Sequence, residues 1–178
     1  MLRESIDWAG SSHEFVSARP FNHIVFDEFF APEIADALAN ECPAYDAPLW
    51  YAYDNAIENK KAMNHWDRFG PTTYRVMTML NSPAFVANLE QLTGARGLAP
   101  DIGLHGGGWH AHGRGGKLNV HVDYSIHPKL ALERRLNLIV YLSRGWDESW
   151  GGGLGLWTHD AERNQPRELA KTVACRFN

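Results

Sequence analysis

Lys117 to Asp123 reads Lys-Leu-Asn-Val-His-Val-Asp, and within it His121 and Asp123 have the types and spacing of a metal-binding pair. In an extended chain successive side chains point to opposite faces. Leu118, Val120 and Val122 then form an aliphatic face, and Asn119, His121 and Asp123 form the other. An imidazole and a carboxylate two residues apart on a strand can converge on one cation. The donor pair suits Fe(II), whose facial set of two His and one carboxylate leaves positions open for a chelating co-substrate and O₂. A plainer reading stands beside this one: a surface His and a turn-starting Asp, since His-x-Asp is short enough to arise by chance.

Other residues could serve the same site. His110 and His112 form His-x-His, a spacing used by cupin metal sites, but residues 113–117 hold no Glu to complete one. Asn137 lies in the apolar run Leu136 to Leu142 and shares a face with Ile139 and Tyr141. A buried amide there needs a partner, which could be a co-substrate, a substrate or another protein group. Tyr124 and Trp157 are candidates for pocket walls, with plain packing as the alternative. Arg114, Arg134 and Arg135 could attract an anion or form a solvated face. The glycines at 106–108, 115–116 and 151–153 lack the Gly-Lys-Ser/Thr of a phosphate loop and read as turns and bulges.

These residues need a scaffold. At 178 residues the chain is long enough for one domain with a real core, here read as a single domain over 1–178. Its seven Trp, six Tyr and eight Phe, with sixteen Gly and nine Pro, lean towards a β-rich domain with tight turns. Residues 1–19 read as a loose arm, Phe21 to Phe30 as strand-like, and Pro32 as the start of a short helix. Residues 43–70 read as an irregular connection. Pro71 opens a second helix, and Ser82-Pro83 caps a third that ends at Gly94. After Pro100 the pattern predicts strands over 101–112, 117–123, 135–142, 153–158 and 171–177. Residues 20–99 are thus a helical support and residues 100–178 a run of strands.

Composition narrows the function classes. A net charge of −4 argues against an electrostatic nucleic-acid binder. No apolar run approaches the roughly 20 residues of a membrane span, and no signal-peptide pattern opens the chain. Cys42 and Cys175 are too few for a disulfide framework and read as two buried thiols. A cytoplasmic protein without membrane attachment is the expectation.

The stretch from Gly106 to Trp157 resembles the bacterial 2-oxoglutarate/Fe(II) oxygenases of the prolyl 4-hydroxylase-like superfamily. The parts fall in order: Gly106-Gly107-Gly108, His121-Val122-Asp123, Arg135-Leu136-Asn137 with Tyr141-Leu142, Trp146, and Gly152-Gly153-Leu154-Gly155-Leu156-Trp157. Pro20-Phe21-Asn22-His23 is similar to the group's opening. The resemblance implies a mostly β fold with N-terminal helices, a double-stranded β-helix of jelly-roll type. It implies Fe(II) as cofactor, 2-oxoglutarate as co-substrate and ascorbate as an auxiliary reductant. It also implies hydroxylation of an unactivated C–H, coupled to decarboxylation of 2-oxoglutarate to succinate and CO₂. His121 and Asp123 would be metal ligands, and His110 would lie on a strand that contacts 2-oxoglutarate.

Such enzymes also need a second metal-binding His and, soon after it, an Arg or Lys for the distal carboxylate of 2-oxoglutarate. No residue here matches either position. His159 follows the Trp157 strand too closely and reads as a loop His. Arg163, Arg167 and Arg176 fit no anchor position. The expectation is a β-helix incomplete at its C-terminal side, either a fragment or a natural truncation, with an unpaired sheet edge open to self-association. Two functions follow: a hydroxylase acting on a small molecule or a protein, or an inactive relic serving as a binding and assembly module.

Overall fold

The computed structural model describes residues 1–3 and 6–178. Four α-helices occupy the first half: α1 (Ser12–Ser17), α2 (Pro32–Glu41), α3 (Pro71–Leu80) and α4 (Pro83–Thr93). The last three each carry Pro in the first turn, where its missing N–H has no partner to lose. Ser82 accepts a hydrogen bond from the Phe85 N–H at 3.2 Å, and Gly94 closes α4 in the left-handed region at φ 72°. The start of α3 is capped from a distance. Glu41, at the end of α2, accepts from the Thr72 and Thr73 N–H groups at 2.8 and 2.7 Å and from the Thr73 hydroxyl at 2.8 Å.

The main sheet is antiparallel and centred on β2 (Glu58–Met63). On one side β2 pairs with β1 (Tyr51–Asp54); on the other it pairs with β3 (Trp109–Ala111) and then β4 (Lys117–Leu118). Asn55 turns the β1–β2 hairpin, its side-chain oxygen accepting from the Ile57 and Glu58 N–H groups. Register decides what each face carries. Tyr51 opposes Ala62, Tyr53 opposes Lys60 and Ala62 opposes His110, so these five share one face. Met63 opposes Trp109 on the other face, and both are buried. There they join a core of Phe29, Phe30, Ala35, Leu38, Val76 and Phe85.

Several expectations need correction. Residues 43–70 contain the β1–β2 hairpin and are not an irregular connection. The arm over 1–19 is not loose where it is described: Trp8 packs edge-on against Phe26, Phe29 and Phe85, and Ser12–Ser17 is helical. Residues 4 and 5 of that arm lie outside the described residues. Phe21 to Phe30 makes only an isolated bridge, between Leu2 and Phe30. Of the strands expected over 101–112 and 117–123, only Trp109–Ala111 and Lys117–Leu118 pair, and residues 135–142 form none.

The last expected strands exist with different bounds. β5 (Leu154–Asp160) and β6 (Gln165–Val173) form a separate antiparallel pair, so His159 lies on a strand, not in a loop. The result is a mixed helical and antiparallel-sheet fold, with no closed barrel among the described residues. The physical reason is pairing. Alternation tells which side chains share a face, but a strand also needs a hydrogen-bonded neighbour. Among the described residues only single backbone bonds reach these stretches, Asn119 N–H to the Ile57 carbonyl and Asn178 N–H to the Tyr141 carbonyl, and no ladder forms along 119–123 or 135–142. Val122 is accordingly 86% exposed, and Leu138 and Ile139 are also exposed.

The two halves of the chain are nevertheless tied. Arg144 reaches α2 through Asp36 at 2.7 Å and Asn40 at 3.1 Å. The Asn178 side chain exchanges two hydrogen bonds with the Phe30 backbone, and its N–H donates to the Tyr141 carbonyl. Both cysteines are free, Cys42 exposed and Cys175 partly so, which corrects the reading of two buried thiols. No helix is long and apolar enough to cross a membrane, among the described residues.

Candidate functional site

His121 and Asp123 follow β4 in a segment without regular secondary structure, after a bend at Val120. They converge: His121 Nε2 stands 3.4 Å from Asp123 Oδ1. The other imidazole nitrogen, Nδ1, lies 2.8 Å from the Asn119 carbonyl oxygen. A carbonyl only accepts, so Nδ1 carries a proton. Nε2 then faces a carboxylate oxygen, a pairing met either by a proton on Nε2 or by a cation between the two groups. Ligands at right angles on bonds of about 2.1 Å stand about 3 Å apart, close to the observed spacing.

The second carboxylate oxygen is also held. Asp123 Oδ2 accepts from Asn137 Nδ2 at 2.7 Å and lies 3.2 Å from an Arg134 guanidinium nitrogen. Arg134 in turn donates to the Asn137 side-chain oxygen and stacks over the Tyr124 ring, 4.6 Å from its centroid. Tyr124 donates its hydroxyl proton to the His105 carbonyl at 2.9 Å. A carboxylate with one oxygen fixed by an amide and a guanidinium offers the other in a set direction, which is how outer partners orient a metal ligand.

Beside Asp123 opens a cavity of about 340 Å³, within the range of small-molecule sites. Its floor is the sheet face carrying Tyr51, Tyr53, Lys60, Ala62 and His110. Asn64, His65, Gly106, Gly107, Tyr124 and Arg134 complete the wall with Asp123. Gly108 lets the Gly-rich turn approach the sheet: its φ is 90°, and a Cβ there would lie 2.4 Å from the Met63 carbonyl oxygen. Loss of solvent, and secondarily the Lys60 charge, hold His110 below the usual imidazole range. At neutral pH it is an uncharged donor and acceptor.

The remaining sequence candidates divide. His110 and Tyr124 face the cavity with Asp123, whereas Trp157 lies on β5 and is not part of its wall. Asn137 is exposed and bonds to Asp123, so it is not the buried amide that its apolar neighbours suggested. His110 and His112 gather no third donor, and neither do His121 and Asp123, among the described residues. His159 pairs with Asn164, Arg163 with Asp160 and Arg176 with Asp27. His127, buried, aims Nε2 at Asp101 Oδ2 from 3.4 Å.

Sequence reasoning missed Lys60, Tyr51 and Tyr53, because the hairpin that carries them was read as irregular. The available signal was Tyr-Ala-Tyr-Asp followed by Asn55, an alternating segment ending at a turn residue.

Residues 107–178, about two fifths of the chain, match the model of the 2OG-Fe(II) oxygenase superfamily. The match takes in His121, Asp123, Arg134 and Asn137, and it supports a superfamily member with a general oxygenase function. The helices and the β1–β2 hairpin lie outside it. No curated protein and no solved structure matches the chain. The donors found fit Fe(II) in kind, one imidazole nitrogen and one carboxylate oxygen, and are two in number where a facial site takes three.

Proposed function

We propose that this chain carries the iron-binding and pocket-forming part of a 2-oxoglutarate-dependent dioxygenase of prolyl 4-hydroxylase-like type. It would hydroxylate an unactivated C–H of a small molecule or a protein side chain. The observation that carries the reading is the facing pair, His121 Nε2 and Asp123 Oδ1 at 3.4 Å, beside a cavity that a ligand could fill. Bound Fe(II) would supply oxidising power from O₂, coupled to decarboxylation of 2-oxoglutarate to succinate and CO₂, with ascorbate as an auxiliary reductant.

This chain's own residues have four tasks. His121, its Nδ1 held by the Asn119 carbonyl, would offer Nε2 to the metal. Asn137 and Arg134 aim the Asp123 carboxylate. Tyr124 and the Gly106–Gly107 turn wall the cavity. The sheet face of Tyr51, Tyr53, Lys60 and His110 receives whatever organic ligand enters. A cytoplasmic setting is part of the proposal, consistent with two unpaired thiols. So is self-association through the unpaired extended segments, whose apolar side chains are exposed.

A second reading is a non-catalytic binding module. One observation favours it: His121 and Asp123 gather no third metal donor among the described residues. Turnover separates the two. Purified protein with Fe(II), ascorbate and 2-oxoglutarate should form succinate under air, and Asp123→Ala should abolish it. No succinate from wild-type protein that holds the metal would favour the module. Undiminished succinate from Asp123→Ala would remove Asp123 from the site.

A further inference from the structure

Behind the cavity wall sits a buried imidazole that the site described above does not use. His127 is 8% exposed, and its two ring nitrogens have different surroundings. Nδ1 accepts from the Lys129 and Leu130 N–H groups at 3.1 and 3.0 Å. A backbone N–H only donates, so Nδ1 carries no proton and the ring proton lies on Nε2. Nε2 is enclosed and has no hydrogen bond of ordinary length among the described residues. It faces Asp101 Oδ2 at 3.4 Å. A metal at this point would need the lone pair that the Nε2 proton occupies, so the tautomer argues against a ligand role. What remains is a buried N–H held towards a carboxylate, an attraction that the low local dielectric strengthens.

Each end of that contact organises a loop. On the His127 side the chain closes on itself. The His127 N–H donates to the Leu132 carbonyl at 2.7 Å, and the Arg134 N–H donates to the Ser125 carbonyl at 2.8 Å. On the other side the Asp101 carboxylate accepts from the Gly103 and His105 N–H groups at 3.0 and 2.7 Å. The His105 carbonyl accepts the Tyr124 hydroxyl proton at 2.9 Å, and Gly106 and Gly107 of the cavity wall follow at once. The two loops thus meet twice, at His127–Asp101 and at Tyr124–His105. The His105 ring packs against both partners, 5.1 Å from His127 and 5.3 Å from Tyr124. Arg134 lies over the Tyr124 ring and reaches Asp123.

We propose that His127 is a positioning residue. Through Asp101 it holds loop 101–107 against residues 124–134, and so fixes Tyr124 and Arg134 behind the Asp123 carboxylate. Capping the turn needs only an acceptor at the place of Nδ1, which Asn or Asp supplies more commonly. The burial of Nε2 against Asp101 is the observation that a turn alone leaves unexplained. That the tie serves a metal ligand rests on the function proposed above; the tie itself does not.

Two variants of the full chain separate the roles of the two nitrogens. His127→Asn places an oxygen near the position of Nδ1, so it keeps the turn acceptor and loses the donor to Asp101. His127→Gln places an amide nitrogen near the position of Nε2, so it keeps a donor and loses the turn acceptor. His127→Asn should therefore have the higher urea midpoint of the two and yet the weaker Mn(II) binding, lowered about tenfold from wild type. His127→Gln should have the lower midpoint and recover part of the Mn(II) affinity. A purely structural role would order both readouts the same way, and that result would overturn the proposal.

Two measurements on metal-free protein stand apart from the metal reading. Long-range proton–nitrogen NMR should show wild-type His127 protonated at Nε2 and not at Nδ1; the opposite tautomer would overturn the proposal without any variant. The Tyr124 ring signals should move in His127→Asn and return towards wild type in His127→Gln, and unmoved signals in a folded His127→Asn would overturn it as well. If wild-type protein takes up no Mn(II) while the tautomer and the Tyr124 signals behave as expected, the tie between the loops stands and the metal reading fails.

Discussion

Replacing Glu41 by Ala tests how the helical layer behind the cavity is held. Its carboxylate accepts three hydrogen bonds of 2.7–2.8 Å, two from backbone N–H groups at the start of α3 and one from the Thr73 hydroxyl. Thr72 and Thr73 are 7% and 1% exposed, so water cannot readily replace the lost acceptor. Bonds to a charged group contribute about 1.5–3 kcal/mol each, while loss of a helix cap costs about 0.5–2 kcal/mol in practice. Partial relaxation towards solvent places Glu41→Ala at about 2–3 kcal/mol, or a Tm roughly 5–10 °C lower for a chain of this size. Glu41→Gln keeps the shape but turns an amide donor towards an N–H, and should cost about half as much.

The pH dependence has a definite sign. Burial pushes the Glu41 carboxyl up, but the hydrogen bonds from Thr73 and Thr72 outweigh it and hold the group below its ordinary value of 4.5. A folded value below the unfolded one means the contribution is complete above about pH 4.5 and is lost as pH falls through the folded value. Urea denaturation followed by circular dichroism at pH 7 and in acid measures this. Wild type and Glu41→Ala should differ clearly at pH 7 and converge in acid. Equal midpoints at pH 7, or a gap that widens with acid, would refute the capping argument.

Three further outcomes are expected. Asn137→Ala, which leaves Arg134 alone on Asp123 Oδ2, should weaken Mn(II) binding about tenfold with little change in denaturation midpoint, as checked by calorimetry and a urea titration. The NMR titration of His110 should have its midpoint below 6.5, and Lys60→Met should move it upward by removing the neighbouring positive charge. Gly108→Ala, with its positive φ and a Cβ driven into the Met63 carbonyl, should cost more than about 2 kcal/mol and weaken the near-ultraviolet signal of Trp109, as read by thermal denaturation and circular dichroism.

Much of the local structure was legible where the signal is local. Pro32, Pro71 and the Ser82-Pro83 to Gly94 frame mark helices that the structure contains, because caps and fixed φ angles act within one turn. The approach of His121 to Asp123 was legible in part, since the two stand only two residues apart, although the segment is irregular and not a strand. The sheet was not. Pairing of β2 with β3 joins residues about fifty positions apart, and no periodicity announces it. The run Leu136 to Leu142 has a strand's composition but forms no ladder, among the described residues, beyond the single bond from Asn178 to Tyr141. Lys60 escaped because its role comes from the cross-strand partner Tyr53 and from loops closing over the same face. Asn137 was noticed for its apolar surroundings, while its actual partners, Asp123 and Arg134, come from the loops beside it.

The central claim is that one imidazole and one carboxylate jointly hold a divalent metal. Electron paramagnetic resonance of Mn(II) tests it, since the free aquated ion loses its sharp signal on binding. Titration of wild-type protein should remove the signal up to one Mn(II) per chain, and His121→Ala and Asp123→Ala should each leave most of the ion free while the protein stays folded. Equal uptake by a folded His121→Ala/Asp123→Ala double variant would contradict the account.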